Sequence, residues 1–171
     1  MDQRTNEIKF KGSYVTLLGK KTRVGRKAKN FTVINNDFEE VKFSSFVDKT
    51  VVISVVPSVD TPVCANQTKR FNEEAAKFED VIILTISVDL PFALNRFCAG
   101  EGIDNLITLS DHKYLDFGKK YGFVIEELRL LTRGVLIIDK NNTIRYIEYV
   151  EEVTNYPDFE KALEKLNEII K

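Results

Sequence analysis

Two apolar runs constrain this chain more than any other feature. Val51-Val52-Ile53-Ser54-Val55-Val56 and Val81-Ile82-Ile83-Leu84-Thr85-Ile86-Ser87 are rich in β-branched residues and nearly free of polar ones. A half-solvated strand alternates polar and apolar side chains, whereas short unbroken runs of this kind are strands buried on both faces. Both are far shorter than the ~20 residues that span a bilayer. Between them, residues 64–79 place Phe71, Ala75 and Phe78 at helical spacing. A sheet hidden on both sides has to be covered by helices, so this strand, helix, strand order predicts an α/β domain.

The flanking segments extend the pattern. Residues 8–10 and 14–18 around Lys11-Gly12-Ser13, and residues 31–34 and 39–43 around Asn35-Asn36-Asp37, read as hairpins, with a solvated basic loop over 20–29 between them. Pro91 opens a helix toward Cys98 that Gly100 and Gly102 end. Residues 105–109 form a short strand and 114–121 a short helix closed by Gly122. Residues 134–138 and 143–150 flank the turn Asp139-Lys140-Asn141-Asn142, and a last helix starts at about Asp158 with Phe159, Leu163, Leu166, Ile169 and Ile170 on one face. With 171 residues and no repeat or linker, the expectation is one domain spanning 1–171, long enough to bury roughly 70% of its unfolded surface. The expected fold is α/β and thioredoxin-like. Its mixed central β-sheet is flanked by α-helices, with an N-terminal β-hairpin and a second hairpin at the C-terminal edge.

Composition narrows the chemistry. There are 25 basic and 26 acidic side chains, a formal charge of -1, and no broad positive field to draw nucleic acid or an anionic membrane as partner. Two Cys and one His fall short of a four-ligand structural zinc site, and no motif calls for a cofactor. The start, Met1-Asp2-Gln3-Arg4-Thr5-Asn6-Glu7, is charged and lacks the apolar core of a secretory signal, so a reducing cytoplasm is expected. There, two cysteines are either buried thiols or redox-active groups.

Cys64 follows a buried strand, Pro57 and a short loop, and falls at the start of the next helix. Unpaired N–H groups and the helix dipole favour a thiolate there, activating the nucleophile without a histidine. Position alone leaves a second reading open, a small buried hydrophobe between Val63 and Ala65. Cys98 lies 34 residues further on, which excludes a CxxC dithiol; set between Phe97 and Ala99, it reads by itself as core.

Pro57-Ser58-Val59-Asp60-Thr61-Pro62-Val63-Cys64 carries a Pro-x-x-x-Thr-x-x-Cys pattern, and on it the chain resembles the peroxiredoxins, specifically the thiol peroxidase subfamily of atypical two-cysteine enzymes. The likeness continues through Gln67-Thr68-Lys69-Arg70-Phe71-Asn72, Ser87-Val88-Asp89-Leu90-Pro91-Phe92-Ala93, Arg96-Phe97-Cys98, Leu109-Ser110-Asp111-His112, Phe117-Gly118-Lys119, Arg133 and Tyr156-Pro157-Asp158-Phe159, covering about residues 8–170. The resemblance implies that Cys64 is the peroxidatic cysteine and Cys98 the resolving one, and that Thr61 contacts thiolate and peroxide. It further implies that Pro57 shields the pocket and that Arg133, rather than Arg129, stabilises the thiolate and polarises the O–O bond. It implies reduction of hydrogen peroxide and organic hydroperoxides, an intramolecular Cys64–Cys98 disulfide, recycling by thioredoxin or a similar dithiol, and a homodimer. Forming that disulfide is expected to need local unfolding, because the two cysteines open and close different helices and a disulfide needs Cα atoms within about 7 Å.

Two departures from the family stand out. Ala28-Lys29-Asn30-Phe31 lacks the usual proline, and Gly134 follows Arg133 where a small side chain such as alanine is common. A redox-sensing protein or a thiol–disulfide exchange protein on the same fold is the alternative reading. His112 belongs to a surface loop rather than to a Cys–His pair, and Asp89, Asp111 and Glu101, among 26 acidic residues, read as solvated surface.

Overall fold

The computed structural model describes all 171 residues. The chain opens with β1 (Gln3–Phe10) and β2 (Ser13–Leu18), joined through Lys11 and Gly12 at φ 51° and 84°, the left-handed conformation that tight hairpin turns demand. The basic loop leads to β3 (Thr32–Ile34) and β4 (Glu40–Lys42), then β5 (Thr50–Val55), α1 (Pro62–Ala75), β6 (Val81–Ser87), α2 (Pro91–Glu101), β7 (Ile107–Ser110) and α3 (Asp116–Tyr121). Two very short strands, β8 (Val124–Ile125) and β9 (Leu130–Leu131), precede β10 (Gly134–Ile138), β11 (Ile144–Tyr149) and α4 (Phe159–Ile170).

Seven strands form one sheet in the order β11-β10-β5-β6-β7-β3-β4. Its centre, β5-β6-β7, is parallel, while β10, β11, β3 and β4 run antiparallel to their neighbours. The mixed α/β, thioredoxin-like architecture is therefore present, with β10 and β11 as the C-terminal edge hairpin. All six residues of β5 are buried, as an unbroken β-branched run requires. Its alternate side chains go to opposite faces. Val51, Ile53 and Val55 join a core with Phe31, Phe117, Tyr121 and Phe123, and Val52 joins a second core with Phe71 of α1 and Ala162 and Leu166 of α4.

The structure departs from the sequence expectations in places. The N-terminal hairpin does not stand alone, because β8 and β9 extend it into a four-stranded sheet, β1-β2-β8-β9. Strands of two residues carry no periodicity to read. Helix α1 stops at Ala75, and α2 runs through Gly100 to end at Gly102, whose φ of 66° suits a left-handed cap.

Asp111 is a further correction. Far from solvated, it is 1% exposed and accepts N–H bonds from Phe117 at 3.1 Å and Gly118 at 2.8 Å in the first turn of α3. Burial outweighs those bonds and pushes its carboxyl from the usual range near 4 up to about 7. The native state thus holds this proton more tightly than the unfolded chain does. The stability this adds is complete below about pH 4 and is lost as pH rises through 7, a change on the order of a few kcal/mol. Thermal melts between pH 5 and 8 are expected to fall less steeply for Asp111→Asn than for the wild type; parallel slopes would refute the assignment.

Candidate active site

β5 delivers the chain into buried Pro57, and Thr61 caps α1 three residues before Cys64. The Thr61 hydroxyl accepts the Cys64 N–H at 3.3 Å and donates to the Ser58 carbonyl at 3.2 Å; Pro62 fills the first helical position, where no N–H is needed. Cys64 is therefore fixed in the first turn. Its side chain is 0% exposed and packs with Val56, Val59 and Leu94, with Phe97 against them.

A cation reaches into this apolar pocket. Gly134 pairs with Val55 across the β5–β10 ladder, and this register sets Arg133 beside the end of β5. Arg133 is 2% exposed and donates in three directions: Nε to the Val153 carbonyl at 2.7 Å, Nη1 to Gln67 Oε1 at 2.8 Å and Nη2 to Cys64 Sγ at 3.1 Å. Gln67 is itself held, its Nε2 donating to Ser54 Oγ at 2.8 Å. Arg129 sits on the exposed β8–β9 connection, at φ 52°. Gly134 has a steric reason: a Cβ there would lie 2.3 Å from the Glu148 carbonyl oxygen and 2.6 Å from Phe123 Cε1.

The loop ahead of Cys64 is tied to the end of β6. Asp89 accepts from Ser58 Oγ at 2.6 Å, the Val59 N–H at 2.8 Å and Ser87 Oγ at 2.8 Å. It too is an organising group rather than solvated surface, whereas Glu101 stands at the surface with Lys69. His112 Nδ1 lies 2.8 Å from Ser110 Oγ, and burial with nearby Lys113 and Arg129 holds its ring below the ordinary range.

Cys98 is half-buried near the end of α2, packed on the core around Phe71, Ile103 and Leu106, with Sγ 3.4 Å from Thr108 Oγ1. Both cysteines are free thiols. The structure thus gathers Thr61, Cys64 and Arg133 at one place, with Pro57 buried on the loop ahead of them, and puts Cys98 in the neighbouring core. Sequence reasoning left Gln67 without a role. Gln67 and Thr68 lie one turn after Cys64 on its own helix face, and only the structure shows that both are wholly buried. The assembly pairs a sulfur nucleophile with a rigid donor of positive charge in a water-poor pocket, as displacement at a small polar electrophile requires.

Comparison with known proteins bears on the family and the fold. The Redoxin family profile matches residues 23–166. A thiol peroxidase of Oceanobacillus iheyensis is 54% identical over 162 residues, covering 95% of this chain and 99% of that one. A thiol peroxidase of Bacillus subtilis is 50% identical over 165 residues, covering 96% and 99%. The crystal structure of a peroxiredoxin-like protein from Aquifex aeolicus superposes with a TM-score of 0.90 at 38% identity, covering 97% and 99% of the two chains. A sequence kinship of this depth along nearly the whole length, on the same fold, places the chain in the redoxin family, among the thiol peroxidases of peroxiredoxin type.

Proposed function

We propose that this chain, acting as one domain, reduces hydrogen peroxide and organic hydroperoxides with Cys64 as nucleophile and Cys98 as resolving thiol. The observation that carries the reading is the 3.1 Å approach of Arg133 Nη2 to a wholly buried Cys64 sulfur. In the first step the Cys64 thiolate attacks one peroxide oxygen. The S–O bond forms as the O–O bond breaks, and the second oxygen leaves with a proton as water or alcohol, giving a sulfenic acid. Arg133 stabilises the negative charge that moves from sulfur to the leaving oxygen. Thr61, turned from the Ser58 carbonyl, offers its hydroxyl to the peroxide, while Pro57 keeps the pocket dry. In the second step the Cys98 sulfur attacks the Cys64 sulfenic sulfur; the S–S bond forms, the S–O bond breaks, and hydroxide departs with the Cys98 proton as water. An external dithiol of the thioredoxin kind then reduces the disulfide.

No helix is long and apolar enough to cross a membrane, and the cycle suits a reducing cytoplasm. The exposed Leu90 and Phe92, the latter 71% exposed at the start of α2, offer an apolar patch beside the site on which two copies can meet as a homodimer.

The test is peroxide-dependent NADPH oxidation through thioredoxin reductase and thioredoxin. The wild type is expected to turn over, and Cys98→Ser to stop after about one equivalent of peroxide. Unchanged turnover in Cys98→Ser would remove Cys98 from the cycle, and disulfide exchange without peroxide consumption would favour the exchange-protein reading. Because the cysteines sit in different apolar clusters, oxidation is also expected to speed amide hydrogen exchange over residues 58–66 and 92–102; identical exchange in both redox states would rule out the rearrangement.

A further inference from the structure

Cys98 is held in place by a chain of hydrogen bonds that the reaction itself does not require. Thr108, on β7 and 3% exposed, directs its hydroxyl to Asn36 Oδ1 at 3.0 Å, on the turn between β3 and β4. The same oxygen lies 3.4 Å from Cys98 Sγ. A threonine hydroxyl has one proton, and here it is committed to Asn36. The contact with sulfur can then be a hydrogen bond only if Cys98 donates its S–H to Thr108 Oγ1. A thiolate has no proton to give and would face an oxygen lone pair instead.

We propose that Thr108, oriented by Asn36, is a positioning residue that parks Cys98 as a neutral, weakly nucleophilic thiol against the core until the end of α2 opens. This deepens the two-cysteine cycle proposed above and rests on it. Parking acts on one partition. The Cys64 sulfenic acid either condenses with Cys98, losing water to form the disulfide, or meets a second peroxide, which transfers an oxygen atom to give the sulfinic acid and leaves as water or alcohol. A Cys98 thiol held by Thr108 lengthens the life of the sulfenic acid, so the Asn36–Thr108–Cys98 chain sets how much peroxide the enzyme tolerates before over-oxidation.

The test separates the parking from the resolving role. In a Cys64→Ser background Cys98 is the sole thiol, and its second-order rate with iodoacetamide reads the hold directly. Adding Thr108→Val, which keeps the shape and removes the hydroxyl, is expected to raise that rate about two- to tenfold, the worth of one hydrogen bond. Thr108→Ser restores the wild-type rate. Asn36→Ala, on a half-exposed turn and so tolerated if the buried valine is not, also raises it by freeing the Thr108 proton to turn toward sulfur. In the active enzyme, Thr108→Val is expected to lower the fraction of Cys64 sulfinic acid formed at high peroxide, measured by mass spectrometry. An unchanged or slower alkylation rate in a folded Thr108→Val protein would overturn the parking whatever Cys98→Ser does to turnover. A faster rate combined with undiminished turnover in Cys98→Ser would leave the hold intact and remove the resolving role.

Discussion

Serine in place of Cys64 is expected to lower peroxide consumption by about 10⁴-fold or more, to the level of free thiol in solution, while the protein still melts within a few degrees of the wild type. The reason lies in the nucleophile. A hydroxyl is un-ionised near neutral pH, and knocking out a covalent nucleophile removes the step that every later step depends on. The environment makes the substitution structurally mild. The site is closed, Arg133 Nη2 can donate to a hydroxyl as it does to sulfur, and the Thr61 cap bonds the backbone N–H rather than the side chain. Initial rates of hydrogen peroxide loss with dithiol present, read beside a thermal melt, check both halves. Residual activity above about 1% of wild type would mean that another group carries out the chemistry.

Arg133→Met is expected to cost about 10²- to 10³-fold in kcat/KM for peroxide, the loss found when one preorganised donor is taken from a developing anion. Unlike the serine variant, it should also lower the melting temperature. Gln67 Oε1 and the Val153 carbonyl each lose the donor that satisfies them in a buried site, and unpaired buried acceptors cost on the order of 1–3 kcal/mol apiece. Arg133→Lys separates charge from geometry. An ammonium supplies the charge but cannot span three acceptors lying in three directions, so an intermediate rate is expected. Stopped-flow kinetics of the reduced protein with peroxide, with a melt for each variant, measures both effects. A lysine variant as fast as wild type would show that the fork adds nothing beyond its charge.

How legible the protein was depended on whether a feature is local. β5 and β6 could be read because each is an unbroken β-branched run, whereas the helical spacing of Phe71, Ala75 and Phe78 set the start of α1 at Cys64, two residues past the Pro62 at which the capped helix begins. β8 and β9 could not, since two-residue strands exist only through their partners in the second sheet. The same divide runs through the site. Cys64 shows itself by its place after a buried strand, and Arg133 by its resemblance to a family pattern. Gln67 acquires meaning only when β10 brings Arg133 across from 66 positions away. Asp89 and Asp111 were hidden in plain composition. Nothing in a chain with 26 acidic residues distinguishes a carboxylate that ties down a catalytic loop, or one sealed under a helix start, from those that face water.

The central claim, that Cys64 attacks and Cys98 resolves within one chain, is tested most directly by mass spectrometry of reduced protein treated with one equivalent of hydrogen peroxide. The account predicts a monomer mass lower by two hydrogens and a proteolytic peptide pair joined through Cys64 and Cys98. It further predicts a stable sulfenic acid on Cys64 in Cys98→Ser and an unmodified Cys98 in Cys64→Ser. A disulfide between two chains, or oxidation of Cys98 in the Cys64→Ser protein at the wild-type rate, would contradict it.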